Sequence, residues 1–558
     1  MTGSEPPPRT ERLRRLGAEA WDLLVIGGGI TGAAVARDAA SRGFRTALVE
    51  ARDFAEGTSS RSSRLVHGGL RYLEHFELDL VFEASQERRT LLRIAPHLVR
   101  PLEFLFPIYR EGSIGKLKLD AGMWLYDALS FFRNIARHQM LESDAVLERE
   151  RELRPRGLLG GARYFDAQVD DARLVLANVI AAAEAGAVVA NRAEVVRVET
   201  ESWPGHRVIV RDGEQGSEWA VDALAVVNAT GPWTEETLAR AGRADGRLVR
   251  PSRGTHIHLR RTRLGHQRAL IFESPIDGRI MFVLPWRDLT LIGTTDEFDE
   301  VRPEAVAPTA ADVRYLLDST NWLFPRARLS PADVVSAWAG LRPLAVEPGA
   351  EEEAAGEVSR DFMVLEEPTG LFTVTGGKLT SNRAMAEATV DRVAEFLAAA
   401  AVPASRASQT ARVPLPGGDF DSFDVLAEQI EDRAADLGLS SEISARLARA
   451  YGTRARRLLE LVAASPRCGA PLIEDRPNIG AEVIYAVRAE FALHVEDVLY
   501  RRTHLGQETR DRFDDACRCV STIMGEELGW PAERREAEVE RARRVRERDD
   551  AYLSELAG

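Results

Sequence analysis

The sequence predicts an α/β Rossmann-like nucleotide-binding domain capped by a mixed or antiparallel sheet, followed by an all-α C-terminal domain. Three observations support this fold class. Near the N-terminus a buried strand leads into a glycine-rich turn and an Ala-rich helix. The middle of the chain contains short segments of alternating hydrophobicity, which are typical of strands. After Val402 apolar residues recur at spacings of three and four, as on one face of a helix.

Length and composition indicate a large globular protein. A chain of 558 residues favours two or three domains, and 45% hydrophobic with 29% charged residues is typical of a soluble fold. The net charge of -14 argues against a nucleic-acid partner, because a protein that binds nucleic acid needs a clustered positive face. Cys468, Cys517 and Cys519 form neither a CxxC pair nor a disulfide framework, which favours a reducing cytoplasm.

The N-terminal elements are expected in a fixed order. Residues 1–20 lack the apolar core of a secretory signal and are predicted to be a disordered leader. Asp22 to Ile26 is predicted to be a parallel strand, followed by the glycine turn at 27–32 and a helix to about Ser41. A second strand, Thr46 to Val49, ends in Glu50. Together these segments form one β-α-β unit.

Later strands extend this unit and add a second layer. Ala223 to Val227 ends in a tight turn, and Leu371 to Val374 leads into Gly376, so the nucleotide-binding domain is expected to be discontinuous. The alternating segments are expected to form the layer that faces the substrate; they are Arg207 to Val210, Ala269 to Phe272, Ile280 to Leu284 and Leu289 to Ile292.

Domain boundaries follow from these assignments. The nucleotide-binding domain is predicted over residues 21–95, 165–242 and 340–400, and a substrate-binding cap over 96–164 and 243–339. Residues 402–530 are predicted to form the helical domain, with helices at Phe423 to Leu437, Glu442 to Tyr451, Arg454 to Ala463 and Ile479 to Glu490. The dense charge run in the tail, 531–558, predicts an exposed helix.

The glycine turn predicts dinucleotide binding. Gly27 permits the tight turn, Gly29 lets the backbone approach a pyrophosphate, and Gly32 lets the helix pack against the strand. The helix N-terminus then faces the phosphate charge. Glu50 ends the second strand, where a carboxylate accepts hydrogen bonds from a ribose and disfavours the 2′-phosphate of NADP.

Hydroxyl-bearing residues after Glu50 favour FAD over NAD. Residues 58–63 read TSSRSS, so the side chains of Ser59, Ser60, Ser62 and Ser63 are available to a phosphate and to the edge of a flavin. A flexible Ser-rich loop is the alternative. The later residues Ala229, Thr230 and Gly231 strengthen the FAD assignment.

Seven separated motifs carry a family resemblance. They are LVHGGLRYLE at 65–74, VDDARLV at 169–175, NATGPW at 228–233, IGTTD at 292–296, GLRP at 340–343, SRD at 359–361 and GGKLT at 376–380. Over about residues 20–525 the sequence resembles the FAD-dependent glycerol-3-phosphate dehydrogenases, a branch of the D-amino-acid-oxidase-like flavoproteins. Trp233 and Gly377 join the expected FAD-binding residues on this basis.

The resemblance implies oxidation of sn-glycerol 3-phosphate to dihydroxyacetone phosphate, with electrons passed through FAD to a membrane quinone. A phosphate monoester needs guanidinium groups in its pocket, and Arg71, Arg342 and Arg360 match the family's substrate-side arginines. Tyr72 is expected to orient the substrate. The resemblance leaves open an oxidase that uses oxygen, because the substrate half-reaction is the same, and a non-catalytic FAD-binding or tRNA-binding protein.

Hydride transfer from C2 to N5 of FAD requires a base for the hydroxyl proton. His67 is the first candidate, the alternative being a histidine that braces the loop or contacts FAD. Lys378, at the start of a helix predicted near Leu379, is expected to stabilise reduced flavin or to contact substrate. Thr294, Thr295 and Asp296 are expected either to line the cap over the flavin or to form a strand-ending turn.

Metal and membrane sites are weighed from composition. His256 and His258 share one strand face, but no cysteine or carboxylate set completes a metal site, so no metal is expected and both are assigned as strand residues. Ile114 to His138 mixes basic and aromatic residues, which suits either an interfacial helix or an ordinary amphipathic helix on the cap. The expected location is cytoplasmic, with peripheral contact at the inner face of the membrane. A homodimer is compatible with the sequence.

Overall fold

The computed structural model describes residues 5–69, 77–130, 135–200, 205–243, 246–346 and 361–557. Its strands are β1 (Ala20–Ile26), β2 (Thr46–Val49), β3 (Leu65–Val66), β4 (Val99–Tyr109), β5 (Gln139–Glu142), β6 (Leu158–Val169), β7 (Val188–Ala190), β8 (Ala193–Glu199), β9 (His206–Asp212), β10 (Glu218–Asn228), β11 (Val249–Arg260), β12 (Ala269–Glu273), β13 (Ile280–Trp286), β14 (Leu289–Gly293), β15 (Glu297–Phe298), β16 (Val334–Ala345), β17 (Phe362–Glu366) and β18 (Leu371–Gly376).

The helices alternate with these strands and then continue alone. They are α1 (Arg9–Ala18), α2 (Ile30–Ser41), α3 (Leu78–Ile94), α4 (Lys116–Leu129), α5 (Ser143–Arg149), α6 (Asp171–Glu184), α7 (Thr234–Arg240), α8 (Ala310–Leu323), α9 (Asn382–Ala399), α10 (Phe423–Asp436), α11 (Ser441–Tyr451), α12 (Ala455–Ala464), α13 (Gly480–Ala489), α14 (Val495–Asp497), α15 (Leu505–Glu508), α16 (Phe513–Leu528), α17 (Ala532–Asp549) and α18 (Tyr552–Ala557).

The first sheet has the strand order β17-β18-β10-β1-β2-β7, with β9 pairing both β10 and β8. Strands β18, β10, β1, β2 and β7 run parallel, so their carboxyl ends share one edge. Helix α2 packs against α6 and α9 beside this sheet, around a core of Val, Leu and Ala side chains. This arrangement confirms the Rossmann-like prediction and leaves a binding edge where the parallel strands end.

The second sheet has the order β15-β11-β14-β13-β12-β4-β6-β3, with β16 on β11 and β5 on β6. Strand β12 pairs with β4 in parallel, whereas the other described pairs of this sheet are antiparallel. The predicted mixed sheet is therefore confirmed. One strand was assigned to the wrong layer: Arg207 to Val210 belongs to β9, which pairs with β10 at the first sheet. Alternating hydrophobicity predicts which residues share each face of a strand, but it does not predict which sheet the strand joins.

The chain after α9 confirms the helical C-terminal prediction. Helices α10 to α13 match the four predicted segments to within a residue or two at each end. Their apolar faces meet in a common core around Leu447 and Leu458. A second core, around Val498 and Val520, joins α13 to the later helices.

The N-terminal leader is a correction, because residues 9–18 form helix α1. Leu16 is fully buried in the core beside β7, and Arg12 donates from Nη1 to the Val189 carbonyl at 2.6 Å. Arg9 also pairs with Asp212 at 2.7 Å. The lack of an apolar run in this segment favours disorder, but Arg9 and Arg12 bind partners that are far away in the sequence.

The tail is helical as predicted but is only partly exposed. Val539 and Ala542 on α17 are buried, and Arg546 donates to the Val335 carbonyl at 3.1 Å. Tyr552 is buried in the core of the second sheet. The few apolar residues of the tail therefore decide its packing, and its charges cover the solvent face.

The predicted domain boundaries stay a prediction. Strand β16 continues through the boundary placed at residue 340, since it pairs with β11 along its length. Strand β6 likewise passes residue 165 while paired with β4. Among the described helices, none combines the length and the apolar character required to span a bilayer.

Candidate functional site

A cleft of about 650 Å³ lies at the edge where the parallel strands of the first sheet end. Ile26 of β1, Val49 of β2 and Gly376 of β18 all line it, as does Ala229 directly after β10. Residues hundreds of positions apart therefore meet at one place. Ligands of open α/β sheets bind outside the carboxyl ends of the strands, so this cleft is the expected location of a cofactor.

The glycine turn brings α2 close to the end of β1. Gly27 has a φ of +108°, and a Cβ there would lie 2.6 Å from the Ala229 carbonyl oxygen. A Cβ on Gly32 would lie 1.9 Å from the Gly27 carbonyl oxygen, so this position requires glycine. Gly29 is the N-cap of α2 and lines the cleft, which directs the helix N-terminus at a bound anion.

Glu50 lies where the sequence places a ribose-binding carboxylate. Its Oε2 accepts a hydrogen bond from the Gly28 backbone N–H at 2.6 Å, and its Oε1 accepts one from Arg52 N–H at 2.8 Å. Burial raises the pKa of the Glu50 carboxyl, and the two N–H donors oppose that shift. The side chain is thus fixed at the cleft wall.

The Ser-rich loop contributes three of the four predicted serines to the cleft. Ser59 Oγ accepts from the Ile30 N–H at 2.9 Å, at the start of α2. Ser62 donates to Asp171 at 2.7 Å, and Ser63 Oγ lies 2.8 Å from His256 Nε2. Ser60 is buried and does not line the cleft. These bonds make the loop a shaped part of the wall.

The turn after β10 and the turn after β18 complete the cofactor side. Ala229, Thr230, Gly231, Trp233 and Gly377 all line the cleft, as expected from the sequence. Thr230 Oγ1 donates to Asn228 Oδ1 at 2.7 Å, which fixes the first turn.

Cationic and imidazole side chains are part of the cleft wall. His67, Arg342 and Lys378 all line it. Arg342 donates from Nη1 to Asp296 at 2.9 Å and from Nη2 to Thr294 Oγ1 at 2.9 Å, and it also reaches the Thr295 carbonyl at 3.1 Å.

These contacts show where the predicted residues Thr294, Thr295 and Asp296 lie relative to the cleft. Thr294, Thr295 and Asp296 orient the Arg342 guanidinium, and none of the three lines the cleft. A Cβ on Gly254 would lie 2.2 Å from Arg342 Nη2, so the guanidinium occupies space that only glycine leaves open. Helix α9 begins at Asn382, so Lys378 lies in the turn before it and not at a helix starting near Leu379.

Three predicted site residues, Arg71, Tyr72 and Arg360, lie outside the described residues. Their roles stay predictions.

His256 is a cleft residue that the sequence analysis assigned to structure alone. Its ring stacks on Trp338 with centroids 5.7 Å apart, and it lines the cleft beside Ser63. Burial, followed by the charges of Arg342 and Arg64 and by His258, lowers the pKa of His256 well below its usual range, so the imidazole is neutral. The sequence signal for His256 was its position two residues after Gly254, because residues two apart on a strand share one face, here the face of β11 toward the cleft.

The cleft fits FAD on four structural grounds. It has a glycine-lined helix N-terminus for a pyrophosphate, a carboxylate for a ribose, a hydroxyl-rich loop and an extended volume bounded by both sheets. Sequence comparison agrees. A family model described as "FAD dependent oxidoreductase" matches residues 22–392, and one described as "C-terminal domain of alpha-glycerophosphate oxidase" matches 408–535. Fold, site and match define a flavin-dependent oxidoreductase with FAD as its cofactor.

Comparison with individual proteins identifies the family within this class of flavin-dependent oxidoreductases. The chain is 38% identical to glycerol-3-phosphate dehydrogenase 2 of Mycobacterium tuberculosis, over 94% of this chain and 88% of that protein. It is 36% identical to glycerol-3-phosphate dehydrogenase of Synechocystis, over 94% and 95%. The crystal structure of the Bacillus halodurans glycerol-3-phosphate dehydrogenase complexed with FAD superposes with a TM-score of 0.81 at 30% identity, covering 97% of each chain. The chain therefore belongs to the FAD-dependent glycerol-3-phosphate dehydrogenase family.

The contact between Gly32 and Gly27 gives a direct test of the cofactor cleft. We expect Gly32→Ala to be purified without FAD, because the added Cβ would force α2 away from the end of β1. The measurement is the ratio of flavin to protein absorbance. Gly122→Ala on α4 is the matched control, since a Cβ there meets no described atom within 4 Å. Full flavin content in Gly32→Ala would show that the cofactor does not depend on this turn.

Proposed function

We propose that this chain oxidises sn-glycerol 3-phosphate to dihydroxyacetone phosphate with FAD and passes the electrons to a quinone. The observation that carries the proposal is that Arg342, Lys378, His67 and His256 line the same cleft as the dinucleotide-binding turn. The pocket thus offers cations for a phosphate monoester and imidazoles for a hydroxyl proton. The names and identities of the relatives support the same reaction.

Arg342 and Lys378 are assigned to the negative charges of the reaction. The Arg342 guanidinium is held by Asp296 and Thr294, which leaves it oriented at the cleft wall before substrate arrives. Such preorganisation lowers the cost of binding a phosphate. Lys378 lies ahead of α9, where its ammonium stabilises the negative charge that develops during flavin reduction. Arg71 and Arg360 are proposed as further phosphate ligands.

A histidine takes the hydroxyl proton of the substrate. When bound, FAD supplies the acceptor for the hydride that leaves C2. His67 remains the first proposed base, with Tyr72 orienting the substrate. His256 lines the same cleft with its Nε2 2.8 Å from Ser63 Oγ, but its lowered pKa disfavours the protonated ring, so it is proposed to orient the substrate hydroxyl and not to take the proton.

The substrate assignment is tested by anaerobic mixing. Glycerol 3-phosphate should bleach the flavin absorbance of the holoenzyme, and a soluble quinone analogue should then restore it. Glycerol and glycerol 2-phosphate serve as matched controls, since one lacks the phosphate and the other lacks the C2 hydroxyl. Failure of glycerol 3-phosphate to bleach the flavin would overturn the proposed reaction.

The electron acceptor is decided in the same experiment. An oxygen-using oxidase is the second candidate, because the C-terminal model that matches residues 408–535 is described from an alpha-glycerophosphate oxidase. Reoxidation by quinone should be faster than reoxidation by oxygen. Peroxide formed as fast as quinone is reduced would establish the oxidase instead.

Two variants separate substrate binding from flavin reduction. Arg342→Ala should raise KM for glycerol 3-phosphate by about 10- to 100-fold, because it removes a charged hydrogen-bond partner of the phosphate. Lys378→Ala should mainly slow flavin reduction, measured by stopped-flow absorbance. Arg260→Ala, half-exposed at the end of β11, is the control. Unchanged kinetics in either site variant would remove that residue from the mechanism.

We propose that an apolar surface on the cap contacts the inner face of the cytoplasmic membrane. Helices α3 and α4 pack together, and Leu117 is 87% exposed and Trp124 51% exposed. Further exposed apolar side chains are Leu78 and Phe82 on α3, Leu125 on α4, and Ile135 after α4. Such a surface suits shallow insertion among lipids and would bring the enzyme to a membrane quinone.

Vesicle sedimentation tests this surface. The double variant Leu117→Glu/Leu125→Glu should lower binding to phosphatidylglycerol vesicles by about tenfold or more, because two apolar side chains no longer leave water. Its FAD content and its activity with a soluble acceptor should stay unchanged. The control is Ile276→Glu, which changes an exposed apolar residue elsewhere on the cap. Equal vesicle binding by both variants would contradict the assignment.

A further inference from the structure

One segment of the C-terminal domain, Val495 to Thr509, is buried at every residue although it is rich in charge. It includes α14, a turn of π-helix at Val498–Arg502, and α15. A buried charge costs free energy unless it is paired. The partners of these side chains therefore identify what the segment holds in place.

The first partner is Asp53, which lies three residues after Glu50, a residue that lines the cofactor cleft. Arg501 Nε donates to Asp53 Oδ2 at 2.5 Å, and Arg502 donates to both Asp53 oxygens, with Nη2 3.0 Å from Oδ1. Asp53 and Arg502 are both fully buried. Glu56 follows one turn later and lies 3.6 Å from Arg501. Two arginines of the C-terminal domain thus hold the start of the cleft loop.

The second anchor lies at the other end of that loop. Gln507 Oε1 accepts a hydrogen bond from Arg64 Nη2 at 2.5 Å. The Arg64 guanidinium stacks over Trp286 at 4.1 Å and lies 4.0 Å from Asp171, which accepts a hydrogen bond from Ser62. Arg64 has a φ of +56°, a conformation uncommon for a side-chain-bearing residue. External partners are therefore needed to keep it there.

The same glutamine also contacts the strands that carry the reacting end of the cleft. Its backbone carbonyl accepts from Ser336 Oγ at 2.6 Å, and His258 Nδ1 lies 3.2 Å from that oxygen. Ser336 belongs to β16 and His258 to β11, the strands of Arg342 and His256. Gln507 is thus bonded both to the loop and to the strands that the loop contacts, since Ser63 Oγ lies 2.8 Å from His256 Nε2 and Arg61 donates to the Ala339 carbonyl at 3.0 Å.

We propose that the segment Val495–Thr509 sets the shape of the loop 53–64, with Arg502 and Gln507 as positioning residues for FAD. Between the two anchors the loop supplies Gly57, Thr58, Ser59, Ser62 and Ser63 to the cleft wall. Arg502 acts through Asp53 near Glu50, and Gln507 acts through Arg64 near Ser63 and His256. The C-terminal domain, which lines none of the cleft itself, is in this way part of the cofactor site.

Another buried ion pair across the same domain interface provides a matched control. Arg173 of α6 pairs with Glu490 at 2.6 Å and donates to the Ala450 carbonyl at 2.5 Å. Its side-chain partners are in the C-terminal domain and not in the loop 53–64. Arg173→Gln therefore weakens the interface by the same substitution as Arg502→Gln but changes neither anchor side chain, and it keeps the Glu490 backbone carbonyl that accepts from Arg502 Nη2 at 2.6 Å.

The test measures FAD retention in the absence of substrate. A negative result would therefore count against this proposal without bearing on the proposed oxidation of glycerol 3-phosphate. Full-length holoprotein is diluted, and FAD release is followed by the rise in flavin fluorescence. Arg502→Gln should release FAD about 10- to 100-fold faster than the unsubstituted protein, the usual cost of losing a charged, buried hydrogen-bond partner. Arg173→Gln should lower the melting temperature but leave release within about twofold.

Milder variants keep the test informative if Arg502→Gln does not fold. Arg502→Lys retains the charge but loses the two-pronged contact, so its release rate should be intermediate. Gln507→Leu should change the shape of the visible flavin absorption band, whereas Gln507→Glu, which still accepts from Arg64, should preserve it. Two results together would overturn the proposal. The first is that Arg502→Gln and Arg173→Gln speed FAD release to the same extent for the same loss in melting temperature. The second is that neither Gln507 variant changes the flavin absorption band.

Discussion

The close approach of α2 to the end of β1 is the constraint on which the rest of this structure depends. The Gly27 carbonyl occupies the space that a side chain at position 32 would take, and the turn also contacts Ala229 after β10. Because glycine permits this approach, a helix N-terminus opens into the groove between parallel strands. The cofactor, and then the residues proposed to act on substrate, take their positions from that groove.

The second requirement is that the groove keeps its shape although its walls come from distant parts of the chain. Asp53 and Arg502 are 449 residues apart in sequence, and both are fully buried in the same ion pair. Gln507 joins the loop at Arg64 to the strands β11 and β16 in the same region. Asp53 is bound by Arg501 as well as by Arg502, and removing either arginine would leave this buried charge with fewer partners, so the domains are strongly coupled.

Local signals in the sequence were sufficient to predict the architecture and the cofactor side of the cleft. The glycine turn, Glu50 and the helical spacing after Val402 depend on near neighbours, and the structure has the expected elements there. His256 was missed because a two-residue spacing gives a strand face but not what lies opposite it. Helix α1 was missed because Arg9 and Arg12 bind Asp212 and the Val189 carbonyl, which are remote in sequence. Arg342, Lys378 and the substrate came from the family resemblance, not from any local pattern.

The central claim is that the C2–H bond of glycerol 3-phosphate breaks in this cleft while FAD is reduced. The most direct measurement is anaerobic single-turnover reduction with glycerol 3-phosphate carrying either hydrogen or deuterium at C2. We predict that both substrates bleach the flavin and that the deuterated one does so more slowly. Bleaching by neither substrate, or bleaching that proceeds equally well with a substrate lacking the C2 hydroxyl, would contradict it.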